Sequence, residues 1–297
     1  MLLQELQTRF GNRVKENEPL AKHTTLRVGG PADMWFSAKS VDEIVMVVSL
    51  AQKHETPISV IGAGGNLLVR KSGIRGLVIS NHARSIQTCQ PSAVLVESGV
   101  MLPRLAKMCI QWGLSGFEWA IGIPGTIGGA IINNAGAYSM SIADNLIRTE
   151  LLNHDGERAW HDVDWFEYAY RSSKIKHMLN HKPIVLQSKL RFIPDSIESV
   201  QERTQTYIQR RKKKQPPGLT IGSMFKNPLD DYAGRLIDAC GLKGYRVGQA
   251  QISSVHANFF VNLGRATSDD MLKLIETTQE QVLAKFGVTL ELEIQII

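Results

Sequence analysis

Residues 122–138, Gly-Ile-Pro-Gly-Thr-Ile-Gly-Gly-Ala-Ile-Ile-Asn-Asn-Ala-Gly-Ala-Tyr, constrain the fold more than any other stretch. Five of the first fifteen are glycine. Each glycine inside a helix or strand costs roughly 0.5–1 kcal/mol relative to alanine, so the segment is expected to be a loop containing neither element. Ile121, Ile123, Ile127, Ile131 and Ile132 nevertheless mark it as buried. A buried loop must satisfy its own backbone N–H and C=O groups. One reading is a packed crossover between sheets that uses glycine for clearance. The other is a cradle whose unblocked N–H groups bind an anion such as a diphosphate. A second glycine loop, Gly62-Ala63-Gly64-Gly65-Asn66, favours the cradle.

That second loop follows a short strand expected over 57–61. It lacks the Rossmann fingerprint, which needs a helix opening from the glycines and an acidic residue roughly 20 positions later. Leu67, Leu68 and Val69 read as extended, turns follow at Gly73 and Gly76, and no Asp or Glu occurs between Gly62 and Glu97. Two glycine loops in one domain, neither opening a helix, point to a dinucleotide held by loop N–H groups in another way.

The 297 residues leave room for two or three domains with a substantial core. Hydrophobic content of 43% and charged content of 21% are ordinary for a globular protein. No apolar run approaches the ~18 residues of a membrane span, and the first residues lack the basic and apolar regions of a secretory signal. A cytoplasmic location is therefore expected. Cys89, Cys109 and Cys240 are scattered, without metal-ligand spacing, and read as reduced thiols. The net charge of +6 owes much to Arg210, Arg211, Lys212, Lys213 and Lys214. No basic stripe interleaved with aromatics accompanies them, so an anionic small molecule suits the chain better than nucleic acid.

Ser40 with Glu43 is expected to form a capping box for a helix through Ile44, Val45, Val48 and Leu50. Strands are expected over 33–38, 76–80 and 93–98, an amphipathic helix over 102–112, and a hairpin of 145–153 with 158–162 around Asp155 and Gly156. Asp164 with Glu167 is expected to cap a short helix, and 182–193 reads as a further strand. A helix over 195–214 carries a thin apolar stripe, and its basic end complements the helix dipole. The expected domains are 1–195, in two subdomains split near residue 85, and 196–297. In the second domain, helices are expected over 232–240 and from an N-cap at Ser268 through Phe286, with a strand within 252–262. Residues 288–297 alternate strictly and read as a final strand, with Val288, Leu290, Leu292, Ile294 and Ile296 on one face.

Eight stretches now stand in a telling order: 25–30 (Thr-Leu-Arg-Val-Gly-Gly), 62–68, 122–138, Tyr170-Arg171-Ser172-Ser173, Gln215-Pro216, 222–228 (Gly-Ser-Met-Phe-Lys-Asn-Pro), 233–244 and Glu293-Ile294. Through them the chain resembles the UDP-N-acetylmuramate dehydrogenase family, also called UDP-N-acetylenolpyruvoylglucosamine reductase, from about residue 24 to 297. It is similar to the compact second type. It departs from many relatives at residues 217–221 and at Ser172, where relatives often carry Asp.

The resemblance implies an α+β fold: a vanillyl-alcohol-oxidase-type FAD-binding domain of two α+β subdomains, followed by an α+β substrate-binding domain. It implies FAD held non-covalently and NADPH as co-substrate. NADPH reduces FAD, and reduced FAD gives a hydride to the enolpyruvyl double bond of UDP-N-acetylglucosamine enolpyruvate. The product is the lactyl ether UDP-N-acetylmuramate, a peptidoglycan precursor. Position by position, it implies FAD contacts from Gly62, Ala63, Gly64, Gly65, Asn66 and Leu67 in one loop. Gly122, Pro124, Gly125, Gly128, Gly129, Asn134, Gly136 and Ala137 supply those of the other. Ser223 would be the proton donor, with Arg171 and Glu293 flanking the substrate carboxylate. Arg211, Lys214, Asn227 and His256 would lie near the substrate. No metal, membrane insertion or obligate protein partner is implied.

Elementary chemistry suits these residue types. Hydride addition to the outer carbon of an enol ether conjugated to a carboxylate builds negative charge on that carboxylate, so donors must be aimed at it. An acid must protonate the neighbouring carbon. Arg171 offers a fixed fork for a carboxylate. A protonated Glu293 can donate to the enolate. Lys226, near Ser223 in sequence, could ease loss of its proton. Arg211 and Lys214, one turn apart, can reach a diphosphate together. Each also has an ordinary rival: a helix-end arginine, a solvated carboxylate on the face that Glu291 shares, a turn serine, a structural histidine. Two other functions fit less of the chain. One is a flavoprotein oxidase using oxygen, which an alcohol rather than NADPH would reduce. The other is a module binding RNA through the basic helix end, which would be colourless.

Overall fold

The computed structural model describes residues 1–90 and 92–297. Residues in mutual contact form two compact units that do not follow a single cut in the sequence. Unit 1 comprises 1–16, 34–63 and 76–209, and unit 2 comprises 17–33, 64–75 and 210–297. The boundary expected at 195/196 falls just ahead of the helix Ile197–Lys214, whereas the units divide within that helix, after Gln209.

Unit 1 has two cores. In the first, Leu6, Ile44, Val47, Val48 and Ala51 of the helices Leu2–Phe10 and Val41–Lys53 pack with Phe36, Ala38, Leu77 and Ile79 of the strands. Ser40 accepts the Glu43 N–H, but the Glu43 carboxylate takes the Lys39 N–H and the Arg13 guanidinium instead of returning to Ser40. The expected capping box is therefore half formed. Ile58–Ile61 and Ile74–Asn81 pair in parallel, and the crossover between them begins with the loop 62–66.

The second core lies on a five-stranded antiparallel sheet in the order Arg158–Asp162, Leu146–Leu152, Ile184–Arg191, Ala93–Glu97, Ile86–Gln90. Leu105 and Cys109 of the helix Leu102–Gln111 join Val94, Val96, Phe117, Trp119, Ile127 and Ile131 there. The hairpin around Gly156 forms as its sequence indicates, with Leu152 opposite Arg158. Asp164 caps nothing. Residues Val163–Phe166 form one 3₁₀ turn without a side-chain cap, ended by Glu167 in the left-handed region at φ 48°.

Unit 2 is an antiparallel sheet in the order Leu219–Ser223, Phe259–Asn262, Ala250–Ile252, Arg246–Val247, with the helices Ala233–Ala239 and Ser268–Phe286. Its core joins Ile221, Phe225, Leu236, Phe260, Met271 and Ile275 to Leu26, Val28 and Leu68 from the early segments. The N-cap of the last helix is Thr267, not Ser268. Thr267 and Asp270 form a full capping box, and Ser268 is buried in the first turn.

The final strand is largely absent. Val288, Leu290, Leu292, Ile294 and Ile296 all pack on the core, as their alternation indicates. Only Gln295–Ile296 is a strand, parallel to Leu67–Leu68. Before it the chain runs beside residues 224–226, which leave their own strand at Ser223 and lead to Pro228. That partner supports one bridge, Phe225 to Leu292, with flanking bonds from Lys226 N–H to the Glu291 carbonyl and from Glu293 N–H to the Met224 carbonyl. The three thiols are free, and among the described residues no helix is long and apolar enough to cross a membrane.

Candidate functional site

The glycine segment is not a bare loop. It contains the helix Ile127–Asn133, opened by Thr126, whose side chain accepts the Gly129 N–H, and closed by Asn134 at φ 45°. Seven residues with two glycines would not be helical alone. Burial of Ile127, Ala130 and Ile131 overrides propensity here. The helix also docks through its backbone: Ile127 N–H donates to the Val100 carbonyl at 2.9 Å and Gly128 N–H to the Ser98 carbonyl at 2.8 Å. The N–H groups of Ile127, Gly128 and Gly129 are thus taken up within the protein.

The loop 62–66 has N–H groups that are not taken up in this way. The N–H groups of Ala63, Gly64 and Gly65 donate to no acceptor among the described residues, and Gly64 is left-handed at φ 63°. Successive inward N–H groups around such a turn form an anion-binding concavity.

The glycines themselves divide by what a Cβ would meet. At Gly62 it would lie 2.3 Å from Thr126 Oγ1, at Gly64 2.3 Å from the His23 carbonyl oxygen, and at Gly136 2.2 Å from the Met140 carbonyl oxygen. Gly128 is tight against Ser98 at 3.0 Å. These glycines serve the protein's own packing. At Gly129, by contrast, a Cβ would meet only Thr126 Oγ1 at 3.7 Å. Asn134 Oδ1 is buried without a hydrogen-bond partner among the described residues. Within residues 122–138, a glycine facing space that the described residues do not fill and an orphaned buried acceptor suit a ligand with donors of its own. Gly129→Val is expected to fold yet carry little FAD, whereas Gly62→Val should lose folded yield. Flavin absorbance per folded protein distinguishes them, and full occupancy in Gly129→Val would refute the cradle.

Arg171 is braced on this segment. Its guanidinium donates to the carbonyls of Asn134 at 3.4 Å and Gly136 at 2.6 Å. Ala169 and Ser172 exchange backbone bonds around a two-residue turn, and Arg171 sits in it at φ 54°. A left-handed arginine is uncommon and marks a constrained position. Tyr168 Oη donates to the Ile131 carbonyl at 2.9 Å, and Ser173 Oγ to the Ile132 carbonyl at 2.6 Å. Residues 168–173 thereby cap the carbonyl end of the helix Ile127–Asn133. Burial drives the Tyr168 phenol far above its usual pKa, so it stays a donor.

In unit 2, Ser223, Asn227 and His256 line one cavity of about 420 Å³ with Tyr232, Arg235 and Lys243. A bulge aims Ser223. Thr220 lies opposite Val261 and Ser223 opposite Phe259, so two residues face one across the ladder, with Gly222 at φ 87°. Such bulges re-aim side chains beside active sites. Asn258 holds the chain two residues on, its amide bonding both the N–H and the carbonyl of Phe225 at 2.9 and 2.8 Å.

His256 Nδ1 accepts the Asn258 N–H at 3.2 Å, which places the ring proton on Nε2. Burial, then the charges of Lys243 and Lys214, holds its pKa below the usual value. The ring is a neutral donor at pH 7. Gly234 leaves room for it, since a Cβ there would stand 3.0 Å from His256 Cε1. Asn227 Oδ1 accepts the Ala233 N–H at 3.1 Å and so also opens the helix Ala233–Ala239.

The two carboxylates of the last segment part company. Glu291 is exposed and paired with Lys226 at 3.2 Å. Glu293 is half-buried, its N–H bonded to the Met224 carbonyl at 3.0 Å and its carbonyl accepting from Asn66 Nδ2 at 3.3 Å. Ser223, Glu293 and Asn66 therefore share one neighbourhood of unit 2. Arg211 and Lys214 occupy the last turn of the helix Ile197–Lys214. The sequence assigns no individual role to Lys243, Tyr232, Asn258, Tyr168 or Ser173, although Ser173 and Lys243 lie in stretches that carry the family resemblance.

Residues 214–297 match the family model described as UDP-N-acetylenolpyruvoylglucosamine reductase, C-terminal domain, and residues 32–161 match an FAD binding domain. The UDP-N-acetylenolpyruvoylglucosamine reductase of Moorella thermoacetica is 39% identical over 98% of this chain and 96% of its own. That of Bacillus subtilis is 37% identical over 100% and 98%. The crystal structure of UDP-N-acetylenolpyruvylglucosamine reductase from Thermus caldophilus superposes with a TM-score of 0.82 at 36% identity, covering 96% of this chain and 98% of that one.

Proposed function

The chain belongs to the UDP-N-acetylenolpyruvoylglucosamine reductase family of FAD-dependent oxidoreductases, and on that premise we propose that it reduces the enolpyruvyl group of UDP-N-acetylglucosamine enolpyruvate to the lactyl ether with NADPH as electron source. UDP-N-acetylmuramate made in this way would serve peptidoglycan precursor synthesis in the cytoplasm. The observation that carries the reading is the convergence of Ser223, Asn227 and His256 on one cavity of unit 2.

FAD, when bound, supplies the hydride. Ala63, Gly64, Gly65, Gly129 and Asn134 would hold it. Arg171 would pair with the substrate carboxylate and stabilise the charge that develops there. The Ser223 hydroxyl would protonate the carbon bearing that carboxylate. Glu293 would donate from its carboxyl to the same enolate, and His256 Nε2–H would orient the polar end of the substrate. Arg211 and Lys214 would bind the diphosphate.

Anaerobic titration with NADPH, followed by the enolpyruvyl substrate, tests the reading. The flavin should bleach and then recover with formation of the lactyl ether. Bleaching by a simple alcohol, or no recovery, would overturn it. Arg211→Ala and Lys214→Ala should each raise KM roughly tenfold or more with kcat nearly kept, since charged hydrogen bonds to a diphosphate are made equally in ground and transition states. A fall in kcat alone would contradict the binding role.

A further inference from the structure

The hairpin that closes the glycine segment is built against its own sequence. Gly136–Ala137 and Met140–Ser141 pair antiparallel with Ala137 opposite Met140, so Tyr138 and Ser139 form the turn. Both have positive φ, 57° and 61°. That is the pattern of a type I′ turn, which favours Asn-Gly, and a bulky tyrosine there is an outlier. Such strain persists where the surroundings over-determine it. Here the Tyr138 ring lies flat on Tyr207, with centroids 4.3 Å apart and planes 8° from parallel. Its hydroxyl also donates to the Tyr207 carbonyl at 3.4 Å.

Tyr207 belongs to the helix Ile197–Lys214, which buries little: only Val200 and Thr204 are fully covered. Arg203 ties the first half of the helix to Glu118 and Ser115, both at 3.0 Å, and to Asp195 at 2.6 Å. Val200, Thr204, Tyr207, Arg211 and Lys214 follow one another at steps of three or four and so share one face. Tyr207 is the last anchor on that face before the two cations.

We propose that Tyr207 is a positioning residue. Its stack on Tyr138 fixes the final turns of the helix and with them the direction in which Arg211 and Lys214 meet the diphosphate of the UDP-sugar. The inference rests on the diphosphate role given above to Arg211 and Lys214.

The test uses the FAD-loaded full chain, with UDP binding followed by calorimetry and KM measured with UDP-N-acetylglucosamine enolpyruvate. Tyr207→Ala should weaken both about 3–10-fold, the scale of one aromatic pair, with kcat and flavin content kept. Tyr207→Phe, which keeps the ring, should restore wild-type values. Tyr138→Asn suits the turn better, so its unfolding temperature should hold or rise while KM climbs as in Tyr207→Ala. A purely structural role would lower stability instead. In a background carrying both Arg211→Ala and Lys214→Ala, Tyr207→Ala should add nothing. Unchanged UDP affinity in Tyr207→Ala, with Arg211→Ala weakened, would overturn this inference alone. Unchanged affinity in Arg211→Ala would overturn the diphosphate assignment beneath it.

Discussion

Replacing Ser223 by alanine is expected to slow reduction of the enolpyruvyl substrate by about 10²–10⁴-fold, the usual contribution of a positioned general acid. That range corresponds to roughly 3–5 kcal/mol at ~1.4 kcal/mol per tenfold. The change removes a proton and one oxygen from a half-buried site at the end of Leu219–Ser223, so fold and FAD content should survive. Bleaching of the flavin by NADPH needs no proton from Ser223 and should keep its wild-type rate. Ser223→Cys retains a transferable proton and should recover part of the loss. The bulge gives a second handle. Gly222 stands at φ 87° with nothing within 4 Å of a would-be Cβ, so Gly222→Ala strains the backbone without a clash. It should shift the Ser223 hydroxyl and slow the same step more mildly. Rapid-mixing spectroscopy separates flavin bleaching from its recovery. An alanine variant that recovers as fast as wild type would reduce Ser223 to a turn residue.

Local signals in the sequence carried much of the fold and stopped where tertiary contacts decide. The hairpin around Gly156 and the helices Val41–Lys53, Leu102–Gln111 and Ser268–Phe286 were legible because spacing and turn chemistry act within a few residues. The helix Ile127–Asn133 was not, since it is held by the carbonyls of Ser98 and Val100, some thirty positions earlier. The same contacts take up the N–H groups of Ile127 and Gly128, while those of Ala63, Gly64 and Gly65 donate to no acceptor among the described residues. Alternation over 288–297 correctly reported which side chains are covered. It could not report that the neighbouring segment 224–226 pairs with it through a single bridge. Ser223, Asn227 and His256 were chosen through a family resemblance rather than through their own chemistry. That a bulge, a buried Asn258 amide and a clearance at Gly234 bring them to one cavity is visible only in three dimensions.

Arg171→Ala should lower turnover of the enolpyruvyl substrate by about 10²–10³-fold, the cost of removing one donor aimed at a developing oxyanion. The guanidinium is well placed to resist substitution by lysine. It is planar, it already braces the carbonyls of Asn134 and Gly136, and its backbone is locked at φ 54° between the bonds of Ala169 and Ser172. A lysine keeps the charge without the fork, so Arg171→Lys should retain only part of the rate. A rival explanation must be separated. Loss of those two braces alone could loosen residues 134–136 and release FAD. Tyr168→Phe and Ser173→Ala test this, because they unpin the neighbouring carbonyls of Ile131 and Ile132 while leaving the guanidinium intact. If Arg171 meets the substrate, its alanine variant keeps near-normal flavin and NADPH-dependent bleaching yet reoxidises slowly with the enolpyruvyl compound. The Tyr168 and Ser173 variants then lose flavin affinity or stability in modest amounts without that selective defect. Should Arg171→Ala lose flavin in proportion to its activity, and behave as the other two do, the arginine is a clamp on the glycine segment and takes no part in stabilising the carboxylate.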